Sequence, residues 1–326
     1  MNVLVTGGAG YIGSHTAKAL AAAGHQPIVY DNLSTGHRWA CQWGPLVEAD
    51  ILDTERLRQA LKEHGIKAVI HFAASAYVGE SMANARAYYR NNVVGSLSLL
   101  DAMVSEGVEA IVFSSSCATY GVPDQLPITE STVQRPINTY GETKLATERA
   151  LHWHHVAHRL RYAALRYFNA SGASKDGDLG EAHDPETHLL PLAIDAALGV
   201  RDPLKVFGSD YPTRDGTCER DYVHVEDLAS AHLAALDKLA SGTETIACNI
   251  GTGQGQTVQE CCSVIEACCG RPVPTVPSPR RAGDPPSLVA DVSLASTLLG
   301  WQAANGITEI VADAVAWHQR QLSARS

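Results

Sequence analysis

The chain has no apolar run long enough to span a bilayer, so no helical membrane anchor is expected in its 326 residues. It also lacks an excess of basic charge. Lys and Arg number 25 against 35 Asp and Glu, a formal net charge of −10, which excludes a general nucleic-acid surface with its basic stripe. A local arginine cluster can still receive an anionic ligand. The opening Met1-Asn2-Val3-Leu4-Val5-Thr6-Gly7 has no basic start of the signal-peptide kind and reads as a strand entering a turn, so a cytoplasmic protein is expected. None of the eight cysteines falls in a C-x-x-C spacing. The adjacent pairs Cys261-Cys262 and Cys268-Cys269 lie in an expected helix ending near Gly270 and read as small buried apolar residues. His154 and His158 share a helix face without a third ligand and read as solvated. No metal site is expected, and no internal repeat or disordered tail is evident.

What the chain does have is a globular balance, 45% apolar and 18% charged, and length enough for a substantial core. Short apolar runs alternate with amphipathic segments through its first half, the pattern of a parallel sheet covered on both faces. Strands are expected at residues 2–5, 27–30, 68–72, 110–114 and 162–166, and helices at 14–23, 54–64, 86–106 and 139–158. After Asn169 the texture changes. Gly, Asp and Pro crowd residues 171–185, and a second irregular stretch covers 208–220, loops of the kind that build ligand pockets. Further strands are expected at 222–224 and 247–251, with a final helix at 307–322. The expected fold class is α/β: an N-terminal Rossmann-type, doubly wound parallel sheet over residues 1–168, and a smaller C-terminal α/β substrate domain over 169–326. Strands near 219–251 are expected to return to the first sheet.

Thr6-Gly7-Gly8-Ala9-Gly10-Tyr11-Ile12-Gly13 follows the first strand and opens the first helix. Glycine suits a sharp turn, a close backbone approach to pyrophosphate, and tight helix–strand packing. Gly7, Gly10 and Gly13 fit those roles, and the helix N-terminus, with Tyr11 and Ile12, then offers N–H groups to phosphate. The acidic residue expected about 20 residues on is Asp31, ending the second strand, followed by Asn32. Its carboxylate can bind a ribose diol and would repel a 2′-phosphate, which favours NAD over NADP. Asp50-Ile51 after the third strand can similarly reach the adenine.

Tyr140-Gly141-Glu142-Thr143-Lys144 places an ammonium on the same helix face as a phenol, with Cβ atoms about 6 Å apart. That ammonium is expected to lower the tyrosine pKa from its reference of about 10, giving a general base at neutral pH. Ser114-Ser115-Ser116-Cys117-Ala118-Thr119 follows an expected strand, and ligands sit at the carboxyl ends of strands in open α/β sheets. Ser116 is the chosen hydroxyl for a substrate oxygen, with Ser115 and Thr119 as rivals.

The motifs TGGAGYIG, HFAASAYVGES, SSSCATYG, YGETK, RYFNA and DGTCERDYVHV, in this order, resemble the extended short-chain dehydrogenase/reductase family, and more narrowly the UDP-glucose (galactose) 4-epimerases. The resemblance runs from Asn2 to about Asp291. It implies a tightly held NAD, Tyr140 as the acid–base on the sugar 4-hydroxyl, Ser116 holding that oxygen, and Lys144 bonding the nicotinamide ribose. Hydride would pass from carbon 4 to NAD and return to the other face of a 4-keto sugar, interconverting UDP-galactose and UDP-glucose. Phe72, Ala73, Ala74, Asn92, Ser114 and Tyr167 match positions lining the cofactor. Arg220, Arg281 and Asn169 match diphosphate contacts, Asp284 a ribose ligand and Phe207 the uracil position, with Lys205 and Tyr222 as further substrate contacts. A homodimer through the helices at 86–106 and 139–158 is implied as well.

The chain departs from the family pattern in places. Ala76 stands where many bacterial members carry a lysine, and His188-Leu189 replaces an Asn-Leu pair over the UDP. Leu288 falls near a position where a bulky tyrosine restricts N-acetylated sugars in some members. UDP-xylose/UDP-arabinose or UDP-N-acetylhexosamine 4-epimerases are therefore alternatives. Nucleotide-sugar dehydratases and decarboxylases need a carboxylate where this chain has Cys117-Ala118, and non-catalytic NAD-binding relatives generally lose the tyrosine.

Overall fold

The computed structural model describes residues 1–281 and 284–325. Its strands, in chain order, begin with β1 (Asn2–Thr6), β2 (Gln26–Asp31), β3 (Leu46–Glu48), β4 (Ala68–His71), β5 (Ala110–Ser116) and β6 (Arg161–Tyr167). They continue with β7 (Asn169–Ser171), β8 (Leu204–Phe207), β9 (Glu219–His224), β10 (Thr245–Ile250), β11 (Gly255–Thr257), β12 (Thr275–Ser278) and β13 (Ser287–Leu288). A seven-stranded sheet in the order β10-β6-β5-β4-β1-β2-β3 carries the fold, and every pairing in it is parallel. This is the Rossmann-type doubly wound sheet expected from the alternating pattern.

Side chains alternate across a strand, so each strand feeds two cores. Val3, Val5, Ile70, Val112 and Leu165 face one side, against Leu228, Leu236 and Leu239 of the helix Val225–Ala240. Leu4, Val69, Ile111 and Phe113 face the other, against Leu57, Leu99, Leu100 and Met103. A third core lies beyond the main sheet, where Ile194, Tyr222, Cys261, Ile265, Ile310 and Val311 meet. Cys261 and Cys262 are buried in it, as their reading as apolar residues requires.

Two expectations are corrected. Of the strands foreseen between 219 and 251, β10 joins the large sheet beside β6, but β9 does not. It centres a smaller sheet with β7, β11 and β13, because its partners Asn169–Ser171, Gly255–Thr257 and Ser287–Leu288 all come from the second half of the chain. The helix expected over 86–106 is broken into Ala85–Tyr88, a π-helical turn at Tyr89–Val94, and Gly95–Glu106. A π turn inserts a residue into the 3.6 period, so an apolar pattern read at constant period runs straight through it. Gly95 marks the junction: a Cβ there would come within 2.6 Å of Ile51 Cγ2.

A buried ion pair braces β5, β6 and the helix Thr139–His158. Arg166 meets Glu148 at 2.7 Å, with both side chains under 10% exposed, while Ser115 donates to Glu148 and Arg166 also donates to the Tyr120 hydroxyl. Glu148→Ala would strand a buried guanidinium, at a cost of about 3–5 kcal/mol. The expected outcome is a large fall in the urea midpoint at unchanged slope; a midpoint near wild type would show that Arg166 finds another partner.

Candidate active site

The helix Thr139–His158 fixes the centre. Asn138 caps it, its side chain accepting from Gly141 N at 2.8 Å. Gly141 is needed for a packing reason: a Cβ there would lie 2.4 Å from Ala118 O. The first turn thus presses against the chain leaving β5 and brings Tyr140 to the strand end. Ser116 ends β5 and is the hydrogen-bonding hydroxyl that favours the Tyr140 phenolate. Its rivals are committed elsewhere, Ser115 to Glu148 and Thr119 to Ser116 O at 2.9 Å. Ser115 and Ser116, as neighbours on a strand, face opposite ways.

One turn along, Lys144 donates to Ser114 O at 2.6 Å. Its Nζ lies 4.9 Å from the Phe113 ring centroid and 5.7 Å from that of Tyr140. Lys144 is 3% exposed, and burial pushes its pKa down to about 7, against a partial pull upward from Glu148. Tyr140 is 6% exposed, and burial drives its pKa well above the usual 10, with Tyr167 adding to the rise. The spacing predicts a pull downward from Lys144, to which the resemblance adds the positive NAD; in the chain by itself the phenol is raised. Desolvation outweighs that pull, and the phenolate requires positive charge brought in by a ligand.

The strand–turn–helix cradle tests whether a dinucleotide fits. Gly7 has φ +71° and would place a Cβ 2.6 Å from Ala73 N; at Gly13 a Cβ would meet Gly7 O at 2.2 Å. Only glycine permits this approach. The helix Tyr11–Ala22 begins at Gly10 with no side-chain cap and no acidic residue in its first turn. The N–H groups of Tyr11, Ile12 and Gly13 have no intrahelical acceptor, an anion site by construction. Asp31 closes β2, its carboxylate accepting from Ala9 N at 3.0 Å and Leu33 N at 2.8 Å. Burial raises its pKa, and those two N–H groups counter the rise. The residues present fit NAD.

Other expected cofactor positions are placed differently. Asn32 Nδ2 donates to Asp50 at 3.2 Å and both are exposed, whereas the Ile51 side chain is buried in the second core. Phe72, Ala73 and Ala74 leave β4 half-buried, with the Phe72 ring tilted against that of His232, centroids 4.7 Å apart. Asn92, in the π turn, donates to Ser75 O and Thr143 Oγ1, each at 3.0 Å, and accepts from Ser75 N. It therefore struts the loop after β4 to the helix Thr139–His158. Tyr167 hydrogen-bonds Ser114 Oγ at 2.9 Å, and burial pushes it up to about 12. The Tyr11 hydroxyl donates to Gly172 O at 2.6 Å, tying the first helix to the loop after β7.

The substrate-side residues form a second group. Arg220, on β9, pairs with Asp284; burial pulls its pKa down, and Asp284 together with Cys218, Tyr222 and Cys117 more than offsets this, leaving it raised. The Arg281 guanidinium lies 4.0 Å from the Phe207 ring centroid at the end of β8. Asn169 sits on β7 opposite Tyr222, and Lys205 is exposed on β8. Tyr222 is buried in the third core beside Cys261, next to Arg220 on β9 and opposite Asn169. His188 precedes the helix Leu189–Ala197, whose Leu189 packs on that same core. Ala76 is exposed, and Leu288 on β13 packs beside Cys117 and Phe168. Sequence reading missed one group, Glu181, His183, Glu186 and His188, which meet in space; its signal is the repeated E-x-H.

The model of the NAD dependent epimerase/dehydratase family matches residues 3–251. The chain belongs to this family. It is therefore an NAD-dependent enzyme. It is 52% identical over 320 residues to a UDP-glucose 4-epimerase of Rhizobium meliloti (strain 1021), covering 98% of each. The crystal structure of the UDP-glucose 4-epimerase from Brucella ovis in complex with NAD is 55% identical, with a TM-score of 0.95 over 97% of each chain. That of a UDP-glucose-4-epimerase from Stenotrophomonas maltophila, with bound NAD and formylated UDP-arabinopyranose, is 41% identical, with a TM-score of 0.96 over 100% of each. Among the described residues no helix is long and apolar enough to cross a membrane.

Lys144 gives a pH test. Its folded pKa of about 7 lies below the unfolded value of about 10.4, so the unfolded state binds more protons between the two. Its contribution to stability is poorest below pH 7 and improves as pH rises toward about 10. In cofactor-free protein, Lys144→Met should gain stability at pH 7, on the order of 4 kcal/mol at most, and the gain should vanish near pH 10. Urea midpoints of both proteins across that window check this; a gap independent of pH would contradict it.

Proposed function

We propose that the protein interconverts UDP-galactose and UDP-glucose through a transient 4-keto sugar, with NAD bound within residues 1–168 and UDP held by residues from 169–326. The observation that carries this reading is the convergence of Ser116, Tyr140 and Lys144 at the end of β5, beside the glycine cradle. NAD, when bound, supplies the acceptor and donor of hydride and the positive charge that Tyr140 needs. Tyr140 takes the proton of the 4-hydroxyl as the carbonyl forms and returns it as the alcohol is restored. Ser116 holds the sugar oxygen at the strand end. Lys144, on the same helix face, would hold the nicotinamide ribose.

Arg220 and Arg281 supply the diphosphate contacts, and Asp284 and Phe207 the nucleoside end. Arg220 is pre-oriented by Asp284, and Arg281 by stacking on Phe207. Firm retention of the nucleotide leaves the sugar free to turn over between the two hydride steps. A dehydratase would need a carboxyl after the strand-end serine. Cys117 stands there instead, and burial pushes its thiol up to about 12, too weak an acid to serve. We assign the protein to the cytoplasm and to galactose metabolism on the same reading. A homodimer is supported by exposed Val94, Val104, Trp153 and Val156 on the segments expected to pair.

The test is a product assay on NAD-loaded protein without added reductant, run on UDP-galactose, UDP-N-acetylgalactosamine and UDP-xylose. UDP-galactose should yield UDP-glucose, and Tyr140→Phe should retain NAD while turnover falls roughly 10²–10⁴-fold. Conversion of UDP-xylose or the N-acetyl sugar in preference would redirect the substrate assignment, and full turnover by Tyr140→Phe would move the acid–base elsewhere.

A further inference from the structure

The run Glu181-Ala182-His183-Asp184-Pro185-Glu186-Thr187-His188 brings four ligand-type side chains together outside the acid–base centre. His183 Nδ1 lies 3.0 Å from Glu181 Oε1 and 3.6 Å from Glu186 Oε2. His188 Nδ1 lies 2.8 Å from Glu181 Oε1 and 2.8 Å from Glu186 Oε1. All four ligand atoms fall within 4.8 Å of one another. The two carboxylates are 6% and 8% exposed, a costly place for two negative charges unless cations face them.

We propose that Glu181, His183, Glu186 and His188 form a binding site for one divalent transition-metal ion of the zinc type. Two imidazole nitrogens and two carboxylate oxygens are a donor set such ions take, with bonds of about 2.0–2.2 Å. Tetrahedral bonds of that length set ligand atoms about 3.4 Å apart. The observed spacings straddle that value, so small side-chain adjustments complete the shell. A dication also neutralises both carboxylates.

The backbone is braced for such a site. Trp317 Nε1 donates to Glu181 O at 3.0 Å, and His37 Nε2 donates to Ala182 O at 2.6 Å. Glu186 Oε1 accepts from the backbone N–H groups of Thr187 and His188 at 2.7 and 2.8 Å. Tyr77 flanks both histidine rings, 5.9 and 6.2 Å away, and Tyr11 flanks His183 at 6.2 Å. Such outer contacts orient ligands before the ion arrives. The ion takes no part in the hydride chemistry. It ties the loop after β7 to the start of the helix Leu189–Ala197, which orders the segment bordering the substrate-side residues. Metal binding does not depend on which sugar the enzyme converts.

The test uses NAD-loaded protein, stripped with a chelator and titrated with zinc by calorimetry, and with cobalt(II) as a spectroscopic probe. One ion should bind per chain, and cobalt should give the intense visible bands of tetrahedral coordination. His183→Gln and Glu186→Gln, checked for NAD retention as a mark of folding, should each weaken zinc binding roughly 100-fold or more. The double variant His154→Ala/His158→Ala, altering the other histidine pair, should bind as wild type. Absence of stoichiometric binding, unchanged affinity in both cluster variants, or loss of binding in the double variant would each overturn the proposal.

Discussion

Everything at the centre depends on a lysine ammonium buried at a strand end with a single carbonyl to receive it. Lys144 is held against Ser114 O by the helix Thr139–His158, whose first turn can approach β5 only because Gly141 has no side chain. In that dry setting both partners of the pair are driven to their neutral forms, Lys144 downward and Tyr140 upward. The protein alone thus holds a weak acid and a weak base. Under the proposed reading, an oxidised nicotinamide beside Tyr140 and its ribose beside Lys144 would counter both shifts.

The rest of the fold divides the labour around that centre. The large sheet presents the uncapped helix at Tyr11–Ala22 and the end of β5 on one edge, where ligands of open parallel sheets gather. The smaller sheet built around β9 supplies Arg220, and the segment before β13 supplies Arg281 and Asp284. Lys18 links the two parts, meeting Asp176 at 2.6 Å and Asp178 at 2.8 Å. Under the proposed reading the nucleotide stays held on this side while the 4-keto sugar swings about its link to UDP.

Local signals were legible in the sequence where they set local geometry. The helix that carries Tyr140 and Lys144 runs Thr139–His158 as expected, because Asn138 caps its start and Arg159, with φ +59°, turns the chain at its end. The glycine turn was legible for the same reason, since each of its glycines answers a close contact. Legibility failed where distant parts decide. The π turn at Tyr89–Val94 keeps the apolar pattern of an α-helix while moving Asn92 inward. The place of β9 in the smaller sheet depends on partners drawn from three later or earlier segments. Burial reversed the pKa of Tyr140, and burial is a property of the assembled site rather than of the Tyr-x-x-x-Lys spacing. The E-x-H repeat was visible, yet its four side chains converge only because the loop that carries them folds back on itself.

The central claim is that hydride leaves carbon 4 for the bound cofactor and returns to that same carbon, while Tyr140 handles only the proton on oxygen. UDP-galactose carrying deuterium at carbon 4, converted by the NAD-loaded enzyme in ordinary water, tests it most directly. The UDP-glucose formed should keep its deuterium at carbon 4. Replacement of that deuterium by solvent hydrogen would contradict the account, because it would mean that the carbon centre, and not the hydroxyl alone, exchanges through a protein acid–base group.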